Sequence, residues 1–137
     1  KFATDKEKLA PVTEEEWNNI IQAMPGYKKT LTGDFSEADE EHFHIKDIAR
    51  RLWAGTGSLG TNRFYVLLEG DDSTHNDDLI LDVKQQSPPP AYAHMTQEEK
   101  KEYKEAFLHE GERHALAFQA LDGTARWCLL GAGALAF

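Results

Sequence analysis

Cysteine, long apolar runs and basic charge are what this 137-residue chain has little of. Its one cysteine, Cys128, cannot close an internal disulfide, so a reducing, cytoplasmic setting is expected. No stretch is apolar over the roughly 20 residues that a helix needs to cross a bilayer, and the first residues carry no signal-peptide pattern, so no membrane partner is expected. Lys and Arg number 15 against 24 Asp and Glu, a formal net charge of -9. That balance argues against nucleic acid as a partner, because a phosphate backbone attracts Lys and Arg. It leaves room for a local basic pocket. What is present suits one soluble domain: 40% hydrophobic and 28% charged residues. The chain starts at Lys1 and stops inside the apolar run from Leu129 to Phe137, so both ends read as cut and a longer parent protein is expected.

The stretch Gly55-x-Gly57-x-x-Gly60 carries the chemistry. A Walker loop needs Lys and Ser or Thr directly after the last glycine, and here Thr61-Asn62 follows. A dinucleotide fingerprint needs that glycine to open a helix. Here Phe64-Tyr-Val-Leu-Leu68 follows, aromatic and β-branched, with no helical period. The remaining type is the kinase loop, a β-hairpin turn whose backbone N–H groups close over phosphates. A glycine-rich hairpin turn without a ligand has the same pattern.

Around this loop the chain reads as follows. Residues 1–10 are polar and expected to be poorly ordered. Thr13 and Glu16 have capping-box spacing, and Trp17, Ile20, Ile21 and Met24 share a helical face that Pro25-Gly26 ends. Residues 27–41 read as an acidic connector. His42 and His44 share one face of a strand, but no third metal ligand is evident. Residues 45–53 and 63–69 are the hairpin strands. Residues 70–78 form an acidic turn without EF-hand spacing. Leu79-Ile-Leu-Asp-Val-Lys84 is a third strand ending in a lysine that can meet phosphate as a point charge, or simply point to water or pair with Asp82.

Pro88-Pro89-Pro90 marks a stiff linker, and Thr96 with Glu99 is a second capping box. It opens one long helix over residues 97–121 with an apolar stripe of Tyr103, Phe107, His114, Phe118 and Leu121. Glu110 falls within that stripe and needs a partner, for which Lys84 is the candidate; a place at the stripe's solvent edge is the alternative. Residues 125–130 read as a further strand.

Asp47-Ile-Ala-Arg-Arg51, Gly55-x-Gly-Ser-Leu-Gly-Thr61, Tyr65-x-Leu-Leu-Glu-Gly70, Val83-Lys84 and Gly111-Glu-Arg113 resemble an uncharacterised bacterial family, domain of unknown function 2252. Its members look like distant relatives of protein kinases and aminoglycoside phosphotransferases. The resemblance implies that Gly55, Gly57, Ser58 and Gly60 cover phosphates, that Lys84 contacts them, and that a helix carboxylate positions Lys84. Periodicity selects Glu110 for that carboxylate and the family-like motif selects Glu112.

Two positions depart from the kinase pattern. Asp82 stands where a small residue faces adenine, and Asn62 where a valine does. No catalytic-loop or metal-binding aspartate motif follows up to Phe137.

The expectation is therefore an α+β fold, a kinase-like N-terminal lobe with a twisted antiparallel sheet, one long packed helix and an extra N-terminal helix. Residues 1–41 would hold that helix and a connector, and residues 42–137 a small lobe truncated at its C-terminus. The expected ligand is ATP or another nucleotide with Mg2+, the metal held by an absent C-terminal lobe. That lobe or a partner chain would cover the apolar C-terminal edge. The isolated chain is expected to be inactive. The alternative is a non-catalytic protein-interaction module.

Overall fold

The computed structural model of the chain describes residues 1–3, 7–29, 43–53, 55, 60–70 and 76–122, with backbone only at Phe118 and Gln119. Four strands form an antiparallel sheet in the order β1-β2-β3-β4: β1 (Leu9–Pro11), β2 (Ile45–Arg51), β3 (Arg63–Leu68) and β4 (Leu79–Lys84). Three helices accompany it: α1 (Glu14–Lys28), α2 (Gln97–Ala106) and α3 (Glu110–Asp122). The fold is thus α+β.

β3 alternates cleanly. Phe64, Val66 and Leu68 are buried, and Arg63, Tyr65 and Leu67 face the other way. Register carries the pattern across the sheet, with Phe64 opposite Val83 and Arg50, and Val66 opposite Leu81 and Ile48. Ile20, Met24 and Tyr27 of α1 pack on this inner face and complete the core. Two such apolar surfaces, each unable to stand in water alone, bury one another.

One charged pair lies within that contact. Glu16, 5% exposed, meets Arg50 from the inner face of β2. Its second carboxylate oxygen accepts the Thr13 N–H at 2.9 Å, closing the capping box of α1. The helix start and the sheet are therefore fixed by the same side chain.

Several elements differ from the sequence reading. Residues 9–11 form a strand that takes in the end of the 1–10 stretch expected to be poorly ordered, because β2 offers it an edge to pair with. α1 does not stop at Pro25-Gly26. Pro25 removes one N–H bond and crowds the carbonyl a turn back, and the turn that continues past it buries Tyr27 in the core. Ile21, expected on the packed face, is exposed, and Glu16 takes part in that face instead.

The single long helix is in fact two. Phe107 adopts an extended conformation (φ -133°, ψ 126°), and His109 accepts the Glu112 N–H at Nδ1, 3.1 Å, to start α3. Gly111 thereby sits in the first turn of α3, where a glycine costs less than mid-helix. Leu121, expected in the apolar stripe, is 87% exposed. The proline segment holds a 3-10 turn over Pro90–His94 that sets Tyr92 edge-on against Tyr103, 5.2 Å between ring centres. It therefore packs, where composition offers only a linker. His42 and the strand expected at residues 125–130 lie outside the described residues.

Candidate functional site

The antiparallel order places three chain ends together. β2 ends, β3 begins and β4 ends at the same edge of the sheet, so the 52–62 connection and Lys84 meet there. Of the predicted loop residues, Gly55 and Gly60 are described, and Gly57 and Ser58 lie outside the described residues. Gly55 and Gly60 both have φ +79°, a left-handed conformation that favours glycine. A Cβ at either position would meet nothing within 4 Å, so the demand is conformational and the space beside the backbone is open. Trp53 also has a positive φ, +51°, and its side chain is 81% exposed.

Asn62 ties the base of the connection together. Its Oδ1 accepts from Arg50 at 2.7 Å, its N–H donates to the Gln85 side chain at 3.0 Å, and its carbonyl accepts the Gln85 N–H at 2.9 Å. The residue that departs from the kinase pattern is here a clamp joining three strands. Asp82, the other departure, accepts two hydrogen bonds from Arg63, one of them Nε to Oδ1 at 2.7 Å. Both positions thus carry engaged polar groups.

Lys84 is exposed at the end of β4 and directly opposite Arg63. Alternation puts it with Asp82 on the face turned away from the α1 core. Its ammonium also acts toward α3. Burial first, then the positive charges of Arg113 and Lys84, lower the His114 pKa below the ordinary imidazole value.

Among the described residues, Lys84 makes no ion pair with Glu110 or Glu112. Glu110 accepts from the Tyr103 hydroxyl at 2.7 Å and from Arg113 Nε at 2.8 Å. Burial, with that hydrogen bond second, pushes the Tyr103 hydroxyl up to about 12. Glu112 accepts the Leu108 N–H at 2.7 Å and so takes part in starting α3. Of the two, Glu110 shares a cavity with Lys84. That cavity, about 430 Å³, opens between α1, the end of β4 and the α2–α3 junction, with Met24, Phe64, Val83 and Phe107 supplying apolar walls.

With the loop, the lysine and the α3 carboxylates placed, comparison with known families identifies the group. Residues 1–132 match the family described as uncharacterized protein conserved in bacteria (DUF2252). The chain belongs to this family. No curated protein and no solved structure matches it.

In this DUF2252 chain the two ends of the sheet differ in charge. At the far end, Lys46 bonds Asp78 at 2.9 Å, and His44 bonds Glu69 at 2.8 Å. Asp77 packs so closely on Gly70 that a Cβ there would overlap it. At the loop end stand Arg50, Arg51, Arg63 and Lys84, facing Glu16 and Asp82. The arginines and Asn62 were not singled out from sequence as site residues. The Asp-Ile-Ala-Arg-Arg motif ending at Arg51 was the available signal for two of them.

Among the described residues, no helix is long and apolar enough to cross a membrane, and no group of three His, Cys, Asp or Glu side chains is placed to hold a metal ion.

Proposed function

We propose that the loop end of the sheet binds the phosphates of a nucleotide, as part of the kinase-like N-terminal lobe of a phosphotransferase-like protein. One observation carries the reading: two left-handed glycines and an exposed lysine from a different strand converge at one edge of the sheet. Backbone N–H groups and an ammonium group are the donors that a phosphate cradle uses. The face that bears Lys84 is opposite the one covered by α1; Phe2 lies against its middle at Tyr65, 6.4 Å between ring centres, and Lys84 at its loop end is exposed.

The fit is uneven along a nucleotide. The phosphate end has donors and space. The positions that would flank adenine hold Asn62 and Asp82, both committed to arginines, so a base would be held differently from a kinase's adenine. Mg2+ and the catalytic aspartate would come from a lobe outside this chain, and the chain alone is inactive in this reading. Calorimetric titration of the chain with ATP and GTP is the test. Saturable binding that weakens at least tenfold in Lys84→Ala is expected, by loss of a charge-assisted contact. Binding that survives that substitution unchanged overturns the role of Lys84, and an absence of binding overturns the nucleotide reading.

A second reading has one observation in its favour. Leu79 and Ile80, 43% and 57% exposed, are adjacent on β4, an outermost strand of the described sheet. A non-catalytic interaction module would use such an edge for a partner chain. The same titration separates the two, since this reading predicts no nucleotide binding.

A further inference from the structure

Arg51, Arg63 and Lys84 form a row of like charges across three neighbouring strands. Arg63 and Lys84 are direct cross-strand partners. Arg51 lies one residue past Arg50, and Arg63 one residue before Phe64, the last matched pair of β2 and β3, so the same register sets Arg51 beside Arg63. All three belong to the face away from α1. Arg51 lies over the Tyr65 ring, 5.8 Å to its centre, and Arg63 holds Asp82, which alternates with the buried Val83. Arg50, by contrast, is on the inner face and engaged by Glu16 and Asn62.

Like charges directly opposite one another destabilise a sheet. Among the described residues, one carboxylate, Asp82, makes an ion pair with the row, and it is committed to the middle cation. Arg51 donates to the Lys8 carbonyl at 3.4 Å, and Lys84 has no ion-pair partner among the described residues. Three neighbouring cations that share one ion-paired carboxylate form a local positive site, and an added anion relieves their mutual repulsion. The row spans two interstrand spacings, about 10 Å, which is wider than a single phosphoryl group.

We propose that Arg51, Arg63 and Lys84 together receive a polyphosphate chain of two or more phosphoryl groups, and that Asp82 limits its affinity by competing for Arg63. This deepens the phosphate-binding reading above and rests on it for the placement of the ligand beside the glycine loop. The arginine forks suit the non-bridging oxygens of successive phosphoryl groups, and Lys84 acts as a point charge at the end of the row. The nucleoside is not needed for this recognition.

Calorimetry on the full chain with inorganic phosphate, pyrophosphate, tripolyphosphate, AMP and ATP tests it. Affinity should rise with each added phosphoryl group and fall as ionic strength rises. Arg51→Gln should weaken tripolyphosphate binding roughly tenfold, the effect of a lost charge-assisted bond. Asp82→Asn should act in the opposite direction and tighten it about threefold, an outcome that partial unfolding cannot produce.

Equal affinity for phosphate and tripolyphosphate, failure of every polyphosphate to bind, or indifference to both substitutions overturns the proposal. The two readings fail separately. Tripolyphosphate binding with this variant pattern, and no gain from the nucleoside, removes the nucleotide reading and keeps this one. ATP binding that needs Lys84 but ignores Arg51 and Asp82 does the reverse.

Discussion

Glu16 and Arg50 are joined across the boundary between α1 and the sheet, and each also has a second duty. Glu16 closes the helix N-terminus through Thr13, and Arg50 reaches Asn62 at the base of the glycine connection. The pair therefore links the packing of the core to the shape of the loop end. Arg50 also lies over the Phe64 ring, 5.4 Å to its centre, so its stem and its charge are both in use.

Arg50→Met should lower unfolding stability by about 3 kcal/mol, since it leaves a buried carboxylate without its cation. Glu16→Gln should cost less, about 1–2 kcal/mol, because the amide oxygen still accepts from Thr13. The double variant should lose less than the sum of the two, with a coupling of about 1 kcal/mol or more. Urea unfolding of the four proteins measures this, and additive losses would show that the pair is not an energetic unit.

His114 gives a pH dependence with a definite sign. Its pKa in the folded chain is lowered below the ordinary 6.5, so the unfolded chain binds the proton more readily. Stability from this group is fully present above about pH 6.5 and is lost as pH falls toward the lowered folded value. Melting temperature should therefore drop between pH 7 and pH 5.5, and His114→Gln should reduce that drop. An unchanged drop in the variant would show that His114 is not its source.

Strands β3 and β4 were legible because their causes are local. Leu79, Leu81 and Val83 alternate, and the run from Phe64 to Leu68 is aromatic and aliphatic throughout. The starts of α1 and α2 were legible too, since Thr13 with Glu16 and Thr96 with Glu99 form the boxes that their spacing implies.

What the sequence hid has non-local causes. β1 is a strand because β2 pairs with it, although a run of three residues ending in Pro11 gives no period to read. Pro25 is carried inside α1 by the burial of Tyr27, a contact with distant strands. The break near Phe107 has no proline to announce it and depends on the imidazole of His109 as a cap.

The site divides in the same way. That the glycines and Lys84 share an edge follows from strand order, which can be read along the chain. That Arg51, Arg63 and Lys84 stand side by side follows from register, which needs the partner strands in place. Arg50 and Arg51 enter the sequence reading within the Asp47-Ile-Ala-Arg-Arg51 motif, which gives neither of them a separate role. One of them proves to be the core's ionic link and the other part of the outer row.

The central claim is that phosphates lie against the backbone of the glycine connection and the ammonium of Lys84. Backbone amide chemical shifts during a titration with ATP report on that contact directly. The account predicts saturable shifts at Gly55 and Gly60 and at the residues flanking Lys84, with the same midpoint as calorimetric binding and weakened in Lys84→Ala. Shifts confined to the acidic end around Glu69 and Asp78, or no shift at Gly55 and Gly60 when ATP is bound, would contradict it.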